Sequence, residues 1–224
     1  MKKIISALIV LLVLTSCKDN NAQQETVKEN ITTPLAITQQ IANANGYENF
    51  KDISELNFTF NVKVNDTLRA NRSWKWLPKE NKIRLIEGQD TISYIKSEEL
   101  NEKALAVDQK FINDSYWLLF PFQLVWSNFE MEESGSVTSP ISKAEMKSLA
   151  IKYTNNGGYT PGDTYYIYYS DDLMVKEWTY QSSGGRSLST TWEDYTLFKG
   201  IPIAQMHKSE DGSFQLYFTD ISVK

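Results

Sequence analysis

Hydrophobic and polar positions alternate along most of this chain. Leu56, Phe58, Phe60, Val62 and Val64 fall on one face of an extended segment, with Asn57, Thr59, Asn61 and Lys63 on the other. This two-residue period is the signature of a half-buried strand. Residues 69–76, 82–87 and 91–96 continue the theme, separated by the turn-forming runs Pro78-Lys79-Glu80-Asn81 and Glu87-Gly88-Gln89-Asp90. Beyond residue 145 the segments 147–154, 164–170, 173–181, 187–198, 203–208 and 214–223 behave in the same way. The breaks between them, such as Asn155-Asn156-Gly157-Gly158 and Ser183-Gly184-Gly185, are short, polar and rich in Gly or Asp, which is hairpin chemistry. About ten strands joined by tight turns predict a mainly β antiparallel meander, not a parallel sheet or a helical bundle.

Two stretches change period. Over residues 33–46, Thr33 suits a helix N-cap and Pro34 the first helical position; Leu35, Ile37, Ile41 and Ala44 form a stripe, and Gly46 suits the stop. Over residues 97–113, Leu100, Ala104, Val107, Phe111 and Ile112 recur near the helical period, with Glu98, Glu99 and Glu102 in the first turn, where the helix dipole favours acids. Residues 116–126 then form the most hydrophobic stretch outside the N-terminus; the run is too short to span a bilayer and contains Pro121. It reads as a core segment plugging the open side of a curved sheet and, compatibly, as the lining of a pocket for an apolar ligand. Tyr116, Trp117, Phe120, Phe122 and Trp126 are therefore candidate ligand-binding residues, with Trp74 and Trp76 from the early strands. Glu132-Glu133 is expected in a polar loop running to Pro140.

The N-terminus carries a different pattern. Met1-Lys2-Lys3, an apolar run over residues 4–14 and a small-residue site form the three parts of a secretory signal peptide. The apolar run is about half the length needed to cross a ~30 Å hydrocarbon core. Leu14-Thr15-Ser16-Cys17 resembles the lipobox of bacterial lipoproteins. That resemblance implies diacylation of Cys17, cleavage before it and acylation of the new amino terminus, a lipid anchor in the cell envelope, expected at the outer membrane. One acyl chain holds a protein only marginally, whereas three make attachment effectively permanent. Residues 18–31, rich in Asn, Gln, Glu and Lys, read as a flexible tether with a coil dimension near 20 Å. The expected organisation is a leader over residues 1–16, lipidated Cys17 and tether over 17–32, and one domain over 33–224.

Composition narrows the function. Cys17 is the only cysteine, so once it carries lipid the domain has neither a disulfide nor a thiolate metal site. Six Trp, twelve Tyr and ten Phe, all beyond the leader, supply a large buried area instead. The 23 basic residues face 28 acidic ones, a net charge of −5 that becomes about −7 once Lys2 and Lys3 leave with the leader. No basic block is present to track a phosphate backbone, so nucleic acid is excluded as an expected partner. A net negative domain also gains nothing from anionic headgroups, which leaves anchoring to the lipid. His207 is the only histidine and no Gly-x-Ser-x-Gly elbow accompanies it. A zinc site needs several Cys or His ligands. The expectation is a protein that is not an enzyme and needs no cofactor or metal.

The run from Asn113 through Asp114-Ser115-Tyr116-Trp117-Leu118-Leu119-Phe120-Pro121-Phe122-Gln123 to Leu124 looks like a segment of an uncharacterised envelope lipoprotein family. Trp192-Glu193-Asp194-Tyr195 followed by Gly200-Ile201-Pro202 resembles its late hairpin. The element order of N-terminal helix, early strands, central helical insertion and closing hairpins resembles the Lol-type lipoprotein carrier and receptor proteins (LolA/LolB-like). The resemblance implies an unclosed antiparallel β-barrel of about eleven strands with a helical lid over an apolar cavity. It also implies an acyl-chain ligand from a lipid or a lipoprotein, and a lid-contacting arginine, for which Arg69 and Arg72 compete. The alternative is an accessory envelope protein that binds a protein or glycan partner on its outer face and holds no internal ligand.

Overall fold

A computed structural model describes residues 35–96, 99–154 and 161–224. Cys17, the leader and the tether lie outside the described residues. The chain opens with helices α1 (Ile37–Ala44) and α2 (Tyr47–Phe50), separated by Gly46 in the left-handed region at φ 84°. Strands β1 (Leu56–Val64), β2 (Thr67–Leu77), β3 (Lys82–Glu87) and β4 (Asp90–Ile95) follow as antiparallel hairpins. Helices α3 (Glu102–Leu118) and α4 (Phe120–Trp126) come next. Nine strands complete the chain: β5 (Glu130–Thr138), β6 (Glu145–Lys152), β7 (Thr164–Tyr169), β8 (Val175–Gln181), β9 (Ser187–Thr191), β10 (Thr196–Phe198), β11 (Ile201–Ile203), β12 (Met206–Lys208) and β13 (Phe214–Val223).

The strands form a six-stranded sheet in the order β12-β13-β1-β2-β3-β4, a five-stranded meander β5-β6-β7-β8-β9 and a separate hairpin β10-β11. The two large sheets meet at β9 and β12. There a single bridge joins Glu193 to Met206, the Lys208 amide donates to Thr191 Oγ1 at 3.1 Å, and His207 Nδ1 lies 3.2 Å from the Thr191 carbonyl. At the other end β4 and β5 do not pair, so the eleven strands make an unclosed antiparallel half-barrel, mainly β with helices packed inside it. Phe111 of α3 packs on Trp74 and Trp76 at ring distances of 5.4 and 5.2 Å, and Phe120 of α4 on Trp178 at 5.4 Å. One core cluster lies under each sheet, and Trp117 of α3 packs against both.

Several expectations change. The first helix begins at Ile37, and the Thr33 cap falls outside the described residues. The central helix begins later and runs further than residues 97–113. Asn101 is its cap, accepting from the Ala104 amide at 2.9 Å, and α3 continues to Leu118. Leu119, at φ −126°, then breaks the path, and α4 restarts with Pro121 in its first turn, where a missing N–H costs nothing. The expected loop around Glu132-Glu133 is instead strand β5. Eight of its nine residues are exposed, so there is no alternation to read, and the strand is held by its backbone ladder to β6. The expected strand over 187–198 is split by Asp194 at φ 56°, and the one over 203–208 is divided between β11 and β12.

Candidate functional site

The half-barrel encloses a cavity of about 1200 Å³ between α3, α4 and the inner faces of both sheets. Strand parity sets its early wall. The register pairs Leu56 with Trp76, Phe58 with Trp74 and Phe60 with Arg72, which puts Arg72, Trp74 and Trp76 on the core-facing side of β2. A bulge between Val62 and Lys63 leaves Arg69 unpaired and exposed at the hairpin end. Of the two competing arginines, Arg72 points inward.

Arg72 is held by the buried Asp114 of α3. Its Nε donates to Oδ2 at 2.7 Å and its second terminal nitrogen to Oδ1 at 2.6 Å. Trp74 Nε1 donates to Oδ2 at 2.8 Å and Asn113 Nδ2 to Oδ1 at 3.0 Å. Burial pushes the Asp114 carboxyl above its ordinary range, while Arg72, Asn113 and Trp74 pull the other way. The guanidinium carbon also lies 4.6 Å from the Phe60 ring centroid. This two-pronged pair, satisfied on every side, ties the helical segment to the six-stranded sheet.

The structure brings Arg72, Trp76, Tyr116, Trp117 and Trp126 together in the cavity wall. Trp126 lies at the rim, 40 % exposed and 5.0 Å from the Phe50 ring. Trp74, Phe120 and Phe122 are instead packed in the core at 2 % exposure or less, and Arg69 lies outside the cavity. Cys17 falls outside the described residues.

The far wall comes from the meander, and the sequence reading missed it. Tyr165 and Trp178 face Tyr116 at 5.1 and 6.0 Å, Trp117 meets Trp178 at 4.3 Å, and the Tyr116 and Tyr153 hydroxyls are 2.9 Å apart. Burial raises the Tyr116 and Tyr153 hydroxyls above the ordinary phenol range, so both stay neutral donors. The alternation of Tyr165, Ile167 and Tyr169 held the signal for this face. Tyr180 and Arg186, further along the wall, carried none, because Arg186 sits on a hairpin tip.

His207, the remaining chemical candidate, is fully buried between Trp192 at 4.4 Å and Trp117 at 5.3 Å. Its Nε2 has no hydrogen-bond partner, and burial holds the imidazole down at about 3. The ring is a neutral packing element at the seam between the sheets. Among the described residues no group of three or more His, Cys, Asp or Glu is placed to hold a metal ion, and no helix is long and apolar enough to cross a membrane.

No family model matches the sequence, and no curated protein matches it. The solved structures that resemble it include two over most of the chain. A DUF1329 family protein from Desulfovibrio piger has a TM-score of 0.46 at 8 % identity, over 84 % of this chain and 90 % of that one. A "putative outer membrane lipoprotein-sorting protein domain" from Vibrio parahaemolyticus has a TM-score of 0.48 at 10 % identity, over 84 % and 91 %.

Proposed function

We propose that this chain is an envelope lipoprotein, anchored through lipid on Cys17, whose half-barrel binds a hydrophobic ligand without transforming it. The ligand is a lipid or the acyl chains of a lipoprotein. The cavity carries the reading: about 1200 Å³ with aromatic and aliphatic side chains over most of its wall and polar groups over the rest. Ligand pockets of about 300–1,000 Å³ suffice for drug-sized molecules. A cavity beyond that range with apolar walls suits something larger and greasier. With its own anchor the protein acts as a receptor or holder at the bilayer surface, not as a diffusing carrier.

Native mass spectrometry and lipid extraction of protein purified from membranes test this. Co-purifying lipid that leaves on denaturation is the expected result. Absence of lipid, together with no binding of a fluorescent fatty acid, overturns it. A stoichiometric protein or glycan partner retained after delipidation would favour the outer-face binding role instead. Anchoring is checked separately: Cys17→Ser should move the protein from the membrane fraction to the soluble fraction.

A further inference from the structure

The charge of the cavity wall runs against that of the chain. The protein carries 28 acidic residues against 23 basic ones, yet among the described residues no Asp or Glu lines the cavity and three cations do: Arg72, Lys96 and Arg186. Two of the three are neutralised from behind the wall, Arg72 by Asp114 at 2.6 Å and Lys96 by Asp108 at 3.4 Å. Arg186 has no carboxylate within 4.0 Å among the described residues. It stands exposed on the β8–β9 hairpin, its guanidinium carbon 5.8 Å from the Tyr180 ring centroid. The acid that shares this tyrosine, Asp163, is already engaged by the Tyr180 hydroxyl at 2.7 Å and the Ser183 amide at 2.9 Å. One cation at the rim of the cavity is thus steadied by the ring and hydroxyl of Tyr180, with no carboxylate within 4.0 Å of it among the described residues.

Resting on the ligand-binding reading above, we infer that the ligand is an anionic amphiphile whose carboxylate or phosphate head sits at Arg186. Its chains lie among Tyr116, Trp117, Tyr165 and Trp178. The guanidinium fork matches both head types in two-pronged geometry. At the rim the head keeps part of its hydration, so its charge avoids the desolvation penalty of the interior. The neutral tyrosine hydroxyls deeper in the wall repel no apolar chain and hold no charge of their own. An uncharged or cationic amphiphile gains nothing from this arrangement.

The test uses the full chain in phosphatidylcholine nanodiscs with an uncharged, fluorescently labelled monoacylglycerol as probe. Displacement is measured with palmitate, lysophosphatidylglycerol and uncharged monopalmitoylglycerol. At least one anion should compete about tenfold better than monopalmitoylglycerol, the advantage shrinking as salt rises. Arg186→Gln should remove that advantage, weakening the anions several-fold more than it weakens the uncharged probe, while Arg186→Lys retains part of it. A lead for palmitate identifies a carboxylate head, a lead for lysophosphatidylglycerol a phosphate head, and both support the proposal. Equal competition by all three, or an Arg186→Gln variant that weakens the uncharged probe as much as the anions, overturns it and leaves the hydrophobic-ligand reading standing. No probe binding at all defeats both.

Discussion

Asp114 and His207 are buried polar residues with opposite fates. Asp114 accepts four hydrogen bonds and neutralises Arg72, so its removal leaves a permanently charged, partly buried guanidinium facing only the half-exposed Glu87 carboxylate at 4.0 Å. Breaking a buried pair from one side costs about 3–5 kcal/mol. Asp114→Ala should lower the unfolding free energy by that order in urea titrations, more than a surface aspartate such as Asp171. His207 has one contact near hydrogen-bonding distance and is held neutral by burial. The unfolded chain takes up this proton as pH falls through the usual 6.5, while the folded chain resists until about 3. The unfolded state therefore binds more protons in that window, and stability falls as pH drops, by up to ~1.4 kcal/mol per pH unit. Above pH 6.5 the effect is absent. Thermal unfolding scans from pH 7 to 4 should show a steeper acid loss for the native protein than for His207→Leu; parallel slopes would contradict the buried neutral ring. Neither fate was legible in the sequence, where Asp114 stood just ahead of the aromatic run with no role of its own and His207 stood as a weak catalytic candidate.

At the level of elements, tertiary contact decides what local pattern leaves open. The α1–α2 corner turns at Gly46, and a methyl there would strike the Gly200 carbonyl and approach Ile201 Cα to 2.9 Å. Asn49 of the same corner donates to that carbonyl at 2.8 Å. Gly46→Ala should thus combine left-handed strain with a backbone collision and cost more than about 2 kcal/mol. Gly88, at φ 61° on the β3–β4 turn, has nothing within 4 Å of an added Cβ. Gly88→Ala should carry only the conformational part, about 1 kcal/mol. Equal losses in denaturant would argue against the close approach. The alternation that marked β1 to β4 was readable because one face of each is buried. Strand β5 was not, because exposure on both faces erases the period and only its ladder with β6 defines it.

For the whole molecule, the cavity makes stability depend on occupancy. A ligand that binds only the folded state adds RT ln(1 + [L]/Kd), about 2.7 kcal/mol at a hundredfold excess over Kd. For a domain of this size that corresponds to a rise of roughly 5–10 °C in Tm. Differential scanning calorimetry of delipidated protein with and without palmitate should show that rise; an unmoved midpoint would speak for a site closed to the ligand. The sequence by itself determined the mainly β meander, the two helical interruptions and the apolar face of the first strand, since these follow from side-chain period and turn chemistry over a few residues. It also carried the N-terminal pattern from which lipid on Cys17 is expected. Only the tertiary structure decided that Arg72 turns inward while a bulge puts Arg69 outside, that Trp74, Phe120 and Phe122 are core, and that Arg186 stands at the rim against Tyr180. A cavity is the space left between segments far apart in the chain. Its size and charge belong to no local window, because they arise only when α3, β2 and the β8–β9 hairpin come together around it.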